Sequence, residues 1–369
     1  MSTSFSIREL AERAKREGAI DLAQGVVDAP PPQVLIESLQ QLPLSKNSTY
    51  NNKRGVLEYR QAIQQYLATR GWQLSLGSIM ATAGAMGGIV SALLTECRPG
   101  SRVLLPEPFF VYHKLLLEVL GFEPVFFPVP LDREPDWEAL AAKMQNVAVA
   151  ILTTPANPTG QLASPVVLKM LSEAATARGC LLIVDEMYRE FIWNQSVLAD
   201  DNSYNDLKLN KMVIVRSFSK TLCIPGWRVG FAITTPERIE AMAPRHDALY
   251  IGGSTIAQYA VAKTLTDNLS EITRYIADLQ TQLQDNRKML ATAFRQYGME
   301  PLPVTATYYM LIKHNRESDI AAMEELIAKK VVVTPVNILF SDPSQDTGYI
   351  RIHFAISQEN CQKVASILT

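Results

Sequence analysis

Residues 216–231, RSFSKTLCIPGWRVGF, set Ser217 three positions before Lys220 and Arg228 eight positions after it, with Pro225 and Gly226 turning the chain between them. A lysine in an apolar, turn-rich segment needs a reason, because a desolvated ammonium is costly unless something answers its charge. A hydroxyl and a second cation at fixed offsets put Lys220 beside a bound anion and make its nitrogen a candidate reactive group. The preceding run KMVIVR, 211–216, is apolar and β-branched, so Lys220 falls just past the end of a buried strand.

The same pattern recurs upstream. CLLIVDEMYREF, 180–191, is a second buried strand whose end carries Asp185 and Glu186, acids that require a cationic partner after four apolar residues. VAVAILTTPANPTGQ, 147–161, is a third, and Pro155 and Pro158 bracket Asn157 just beyond it. Open α/β sheets bind ligands at the carboxyl ends of their strands, so an amide, an acid and an amine converge on one crevice. Further upstream, IMATAGAMGGIVSALLTEC reads as strand, Gly-rich turn and helix, and the free amides of such a helix start suit an anion. SRVLLPEPFFVYHKLLLEVLG repeats the unit, with Phe109 and Phe110 in the turn, and PVFFPV adds a strand. Apolar runs alternating with helical ones predict a sheet covered on both faces.

The 369 residues are 47% apolar and 20% charged with net charge -2, which fits a core-forming protein of two domains or one large one. That charge balance shows neither a nucleic-acid footprint nor a membrane-surface patch, and leaves small molecules as the expected partners. Cys97, Cys180, Cys223 and Cys361 show no metal or redox spacing, so free thiols are expected and no metal site. With no signal-peptide core and no apolar run of membrane-spanning length, a cytoplasmic location is expected.

Toward the termini, residues 6–17 have helical spacing of Ile7, Leu10, Ala11 and Ala14, and the Pro-rich segment after them carries Gly25, which lets backbone approach a ligand. A helix over 55–70 follows a polar turn holding Tyr50. Residues 253–296 read as one long helical stretch joining two domains. Beyond it, PVTATYYMLIK, VVVTPVNILF and YIRIHFAIS read as strands of a smaller α+β unit. Arg351, alternating with Ile350, Ile352 and Phe354, offers a planar fork suited to a carboxylate.

TTPANPTG, DEMYREF, SFSKTLCIPGWRVGF, EPFFVYH, TAGAMGG, YNNKRG and YIRIHFA stand in the order and at the separations of one family. Across nearly its whole length the chain resembles the class I/II aminotransferases of fold type I, which depend on pyridoxal 5'-phosphate. The resemblance implies a large domain with a mostly parallel seven-stranded sheet between helices, plus a smaller α+β domain. Its boundaries would be an arm over 1–45, a large domain over 46–255, an interdomain helix over 256–295 and a small domain over 296–369.

Carried over by residue, it implies that Lys220 forms the imine with the cofactor aldehyde and later moves the substrate's α-proton. Asp185 would hold the pyridine nitrogen protonated, and Glu186 would point away. Asn157 and Tyr188 would bond the ring's phenolic oxygen, and Phe110 would stack on the ring. The phosphate would be held by amides of Ala85 and Met86 after Gly84, by Ser217 and by Arg228. Tyr50, with Gly55 completing Y-x4-G, would reach the partner's phosphate in a homodimer with shared sites. Arg351 would grip the substrate carboxylate, with Asn157 beside it and Gly25 closing over the side chain.

Met86 replaces the lysine of some acid-specific relatives, and Ala306 and Thr307 precede Tyr308 and Tyr309 where a Pro-x-Gly is frequent. With Tyr250, Tyr308 and Tyr309 near, although such aromatics are more often core than pocket, these departures point to a neutral, apolar or aromatic L-amino acid donating to a 2-oxo acid by a ping-pong route. The alternative on the same fold is a cysteine-conjugate β-lyase. A ligand-binding module of the kind fused to transcription regulators is disfavoured, because every catalytic position is filled and motifs begin by Gly25.

Overall fold

The computed structural model of the chain describes residues 6–194 and 201–369. Its strands are β1 (Ile20–Asp21), β2 (Ile79–Thr82), β3 (Arg102–Glu107), β4 (Glu123–Pro128), β5 (Val149–Thr153), β6 (Leu181–Asp185), β7 (Met212–Ser217), β8 (Gly230–Ile233), β9 (Glu300–Pro301), β10 (Tyr309–Lys313), β11 (Val331–Val332), β12 (Thr334–Pro335) and β13 (Tyr349–His353).

Seven of them form one sheet in the order β2-β8-β7-β6-β5-β3-β4, parallel except for β8, which runs antiparallel to both neighbours. β6 and β7 are buried along their whole length, as expected of parallel strands covered on both faces. One core cluster packs Ile63, Leu104, Leu182 and Ile214 on one face of the sheet, and another packs Ile89, Val103, Ile183 and Val213 on the other. Successive strand residues point to opposite faces, which is how one apolar run feeds both clusters.

The short β8 was not legible in the sequence, and it shapes the site. Because it is antiparallel, it begins where its neighbours end, pairing Gly230 with both Thr82 and Ser217. The chain just ahead of it, at Arg228, therefore arrives at the carboxyl edge of the sheet beside Gly84 and Lys220.

A second, four-stranded antiparallel sheet, β12-β13-β10-β9, is packed with the helices Asp319–Ala328 and Gln358–Leu368 and with part of the N-terminal segment, whose β1 pairs with β11. The N-terminal helix Ile7–Glu17 is closed by a capping box between Ser6 and Glu9 and by Gly18 in the left-handed region. It buries Leu10, Ala11 and Ala14, and Arg13 forks onto Glu324 at 2.6 and 2.7 Å.

The stretch 253–296 is not one helix. Thr255–Asp267 and Leu269–Gln296 are separated by Asn268, whose φ of -133° is outside the helical range. The second helix places Ile272 in the large-sheet core and Leu279, Leu283 and Leu290 in the small-sheet core. VVVTPVNILF likewise is not one strand: β11 pairs with β1, β12 pairs with β13, and Val336–Leu339 turns as a 3-10 helix. Pro335, without an N–H, favours such a break.

Candidate active site

After β7, Ser217 caps a single helical turn, Phe218–Thr221, accepting from the Ser219 amide at 3.1 Å. That turn aims Lys220 into a cavity of about 340 Å³ at the carboxyl edge of the sheet. Lys220 Nζ donates to the Gly25 carbonyl at 2.7 Å, and Tyr308 Oη donates to the same oxygen at 3.1 Å. No carboxylate pairs with the amine among the described residues. Burial lowers its pKa to about 8, with the nearby Arg228 charge pushing the same way against Cys223. Gly25 admits no side chain: a Cβ there would lie 1.9 Å from Tyr309 Oη.

One end of the cavity is built for an anion. The helix Gly84–Glu96 starts without any capping side chain, and Ala85 and Met86 line the cavity. Arg228, at φ 54°, donates to the carbonyls of Pro225 at 3.1 Å and Ala83 at 3.3 Å, leaving its charge unmatched by any acid among the described residues. Gly84 sits under the guanidinium at φ 68°, where a Cβ would come 2.6 Å from Nη2. His246 accepts from the Ala83 amide at 3.0 Å, and burial holds its pKa down to about 4, so a neutral ring fixes that turn. Ser217 Oγ donates to the Val229 carbonyl at 2.8 Å and stands 2.9 Å from Ser219 Oγ. Ser219, which carried no distinct signal in the sequence, lines the cavity, whereas Ser217 does not.

Asp185, at the end of β6, is buried and lines the same cavity. Its Oδ1 accepts from the Met187 amide at 3.1 Å, and its Oδ2 lies 3.3 Å from Nε2 of the fully buried His113. Phe110 stands edge-on to that imidazole, with ring centroids 5.3 Å apart. His113 was missed in the sequence although EPFFVYH ends on it; its place three residues after Phe110, about one helical turn, was the available signal. Glu186 turns to the other face, accepting from Arg216 Nε at 2.7 Å and from Tyr204 Oη. There it joins a buried network with Asp201, Glu190, Arg70, Arg189 and Arg216.

The far wall is Arg351, 1% exposed. Its Nη1 donates to Asn157 Oδ1 at 2.9 Å, its Nη2 donates to the Ala23 carbonyl at 2.5 Å and Thr334 Oγ1 at 3.0 Å, and its guanidinium lies 4.5 Å from the centre of the Tyr309 ring. Tyr188 Oη is 3.3 Å from Tyr309 Oη. Of the three aromatics weighed in the sequence, Tyr309 lines the cavity, Tyr308 is buried behind it, and Tyr250 is partly exposed. Thr334 had no sequence signal, since it reaches Arg351 only through the pairing of β12 with β13. The cavity thus gathers Gly25, Ala85, Met86, Phe110, Asn157, Asp185, Tyr188, Lys220, Arg228 and Arg351; Gly84 and Ser217 lie just beneath. Tyr50 is 82% exposed and does not line it.

An unpaired amine of lowered pKa, a carboxylate, an aromatic wall and a glycine-lined cradle under an unmatched arginine fit pyridoxal phosphate: an aldehyde, a basic ring nitrogen, a flat ring and a phosphate. The model for aminotransferase class I and II matches residues 17–368. The chain is 28% identical to the (5-formylfuran-3-yl)methyl phosphate transaminase of Methanocaldococcus jannaschii, over 97% of this chain and 93% of that one. It is 26% identical to the aspartate aminotransferase of Pyrococcus horikoshii, over 96% and 90%. Its fold matches an Escherichia coli protein identified as having a methionine aminotransferase function, with a TM-score of 0.89, 24% identity and coverage of 100% and 97%. Nothing among these relatives supports the β-lyase alternative. Over residues 17–368, then, the chain belongs to the aminotransferase class I and II family, and it is a pyridoxal phosphate-dependent transaminase acting on an amino acid and a 2-oxo acid.

Proposed function

We propose that this transaminase takes a neutral, apolar or aromatic L-amino acid as donor, with Lys220 as its catalytic amine, in a homodimer whose two sites each borrow Tyr50 from the partner. The observation that carries the reading is the position of Lys220, an amine of lowered pKa between an anion cradle at Arg228 and a carboxylate grip at Arg351, facing no acid of its own.

When bound, pyridoxal phosphate supplies an aldehyde for an amine and a ring that draws electrons from the substrate's α-carbon. Arg228, Ser217, Ser219 and the amides of Ala85 and Met86 would hold the phosphate, with Gly84 leaving the guanidinium room. Asp185, oriented by the Met187 amide and with His113 Nε2 3.3 Å away, would hold the proton of the ring nitrogen, because a nearby carboxylate favours the charged form. Phe110 would cover a ring face, and Asn157 and Tyr188 would bond the ring oxygen. Arg351 binds the substrate carboxylate with a fork already oriented by Asn157, Thr334 and Ala23. Lys220 Nζ, partly unprotonated near neutral pH, takes the α-proton and returns it. Gly25 keeps the backbone over the substrate at the closest approach Tyr309 permits.

Donor class is read from the walls. Met86, Met187, Phe110, Tyr112, Val26 and Tyr309 line the cavity that Lys220 enters, so a donor side chain in it meets thioether and aromatic surface. The methionine activity named for the structural neighbour is in keeping with this, whereas the aspartate activity named for a relative is not. Adding each amino acid to holoenzyme and following loss of the cofactor's absorbance tests the reading. Response to methionine, leucine or phenylalanine is the expected result, and response to aspartate and glutamate alone overturns it.

The homodimer is supported by the surroundings of Tyr50. Its loop is tied to the 252–255 turn by Asn51 Nδ2 donating to Thr255 Oγ1 at 2.9 Å and Thr255 Oγ1 donating to the Thr49 carbonyl at 3.0 Å. Leu44, Leu57, Leu249 and Ile251 are each about half exposed on these same segments. For domain limits we propose 1–45, 46–255, 256–295 and 296–369, supported by separate cores bridged by the helix Leu269–Gln296. Four free cysteines support a reducing, cytoplasmic setting, and among the described residues no helix is long and apolar enough to cross a membrane.

A further inference from the structure

The cavity holds one more cation than the reaction described above employs. Among the described residues, four basic side chains line it: Arg228, Lys220, Arg351 and Arg8. The first three answer a phosphate, a carbonyl and an α-carboxylate. Arg8 comes from the second residue of the N-terminal helix, where Ile7 beside it also lines the cavity. It is exposed and, among the described residues, pairs with no carboxylate, although Glu12 stands four residues on at the spacing that favours such a pair. The helix that carries it is fixed, by the buried Leu10, Ala11 and Ala14 and by the Arg13–Glu324 fork, so Arg8 is presented from a rigid support. Val26 and Tyr112, 42% and 39% exposed, also line the cavity, which opens to solvent on this side.

We propose that Arg8 receives the distal carboxylate of a dicarboxylic 2-oxo acid, and so selects the amino acceptor, while the thioether and aromatic walls select a neutral donor. The inference rests on the donor reading above. A ping-pong enzyme passes both substrates through one cavity, so the α-carboxylate of either goes to Arg351 and the two differ only in their side chains. A neutral side chain lies along Met86 and Tyr309 and leaves Arg8 in water. A side chain ending in a carboxylate places that charge toward the mouth, where Arg8 is the remaining cation among the described residues. Partial exposure makes the contact one of selectivity rather than tight binding.

The test uses holoenzyme and two variants of equal charge change on one helix, Arg8→Gln and Arg16→Gln; Arg16 is exposed and does not line the cavity. The ratio of kcat/KM for 2-oxoglutarate to that for pyruvate is measured with one donor, and the affinity for glutarate, a non-reacting dicarboxylate, by calorimetry. Arg8→Gln should lower both the ratio and the glutarate affinity about three- to fivefold, the upper scale for a solvent-exposed ion pair, with Arg16→Gln indistinguishable from wild type. Equal loss for both acceptors, or equal effects of the two variants, overturns the proposal. If neutral donors fail altogether, the donor reading falls, and the Arg8 ratio can still be scored with glutamate as donor.

Discussion

Replacing Gly25 by alanine isolates the closest contact in the site. Gly25 is not in the left-handed region, so alanine meets no backbone strain there, and by itself it would stabilise by roughly 0.4–1 kcal/mol through the unfolded chain. Against this, the new Cβ would fall 1.9 Å from Tyr309 Oη and 2.5 Å from Cζ. The ring has little freedom to retreat: it is 4% exposed, carries the Arg351 guanidinium 4.5 Å from its centre and has Tyr188 Oη at 3.3 Å. Overpacking of this kind costs about 1–3 kcal/mol, so a net loss of about 1–2 kcal/mol is expected. Either Tyr309 moves and takes Arg351 with it, or the 24–26 segment lifts and the 2.7 Å bond to Lys220 is lost. A displacement near 1 Å lowers kcat/KM on the order of a hundredfold. Denaturation midpoints and kcat/KM for Gly25→Ala, Tyr309→Ala and the double variant form a cycle. Removing the ring should make the alanine nearly harmless, giving a coupling of about 1–3 kcal/mol in both readouts. Additivity within about 0.5 kcal/mol would refute the steric account of Gly25.

Capture of cofactor by apoenzyme requires the unprotonated amine, so its rate should rise with pH and level off above about 8, the value to which burial brings Lys220; at pH 7 about a tenth of the amine is free base. A rate still climbing at pH 10 would mean an ordinary lysine. Gly84→Ala meets both a positive φ and the Arg228 guanidinium, and titration of apoenzyme should show cofactor affinity about tenfold or more weaker. Arg351→Lys keeps the charge but loses the fork, and should raise KM for amino acid roughly 10- to 100-fold with a smaller change in kcat. Tyr50→Ala should weaken cofactor binding, and mixing it with inactive Lys220→Ala should regain about a quarter of wild-type activity at limiting cofactor, since a shared-site dimer rebuilds one intact site per hybrid; no recovery would place Tyr50 outside the partner's site.

What was legible in the sequence were strand ends. Apolar runs stopping at Asn157, Asp185 and Lys220 announce parallel strands, and functional groups follow directly after them. Residues reaching the site through pairing were not legible. Thr334 bonds Arg351 only because β12 lies against β13, and Arg228 stands over Gly84 only because the four-residue β8 runs backward between β2 and β7. His113 sits on an amphipathic helix where its ring looks like any core residue until Asp185 is found 3.3 Å away. The division between Ser217 and Ser219 depends on a single helical turn, which no periodicity resolves.

The central claim, that Lys220 is the amine that carries the cofactor, is tested most directly by reducing holoenzyme with borohydride and mapping the tagged peptide by mass spectrometry. The pyridoxyl phosphate mass is expected on Lys220 and nowhere in Lys220→Ala. A tag on any other lysine of the wild-type chain would contradict it.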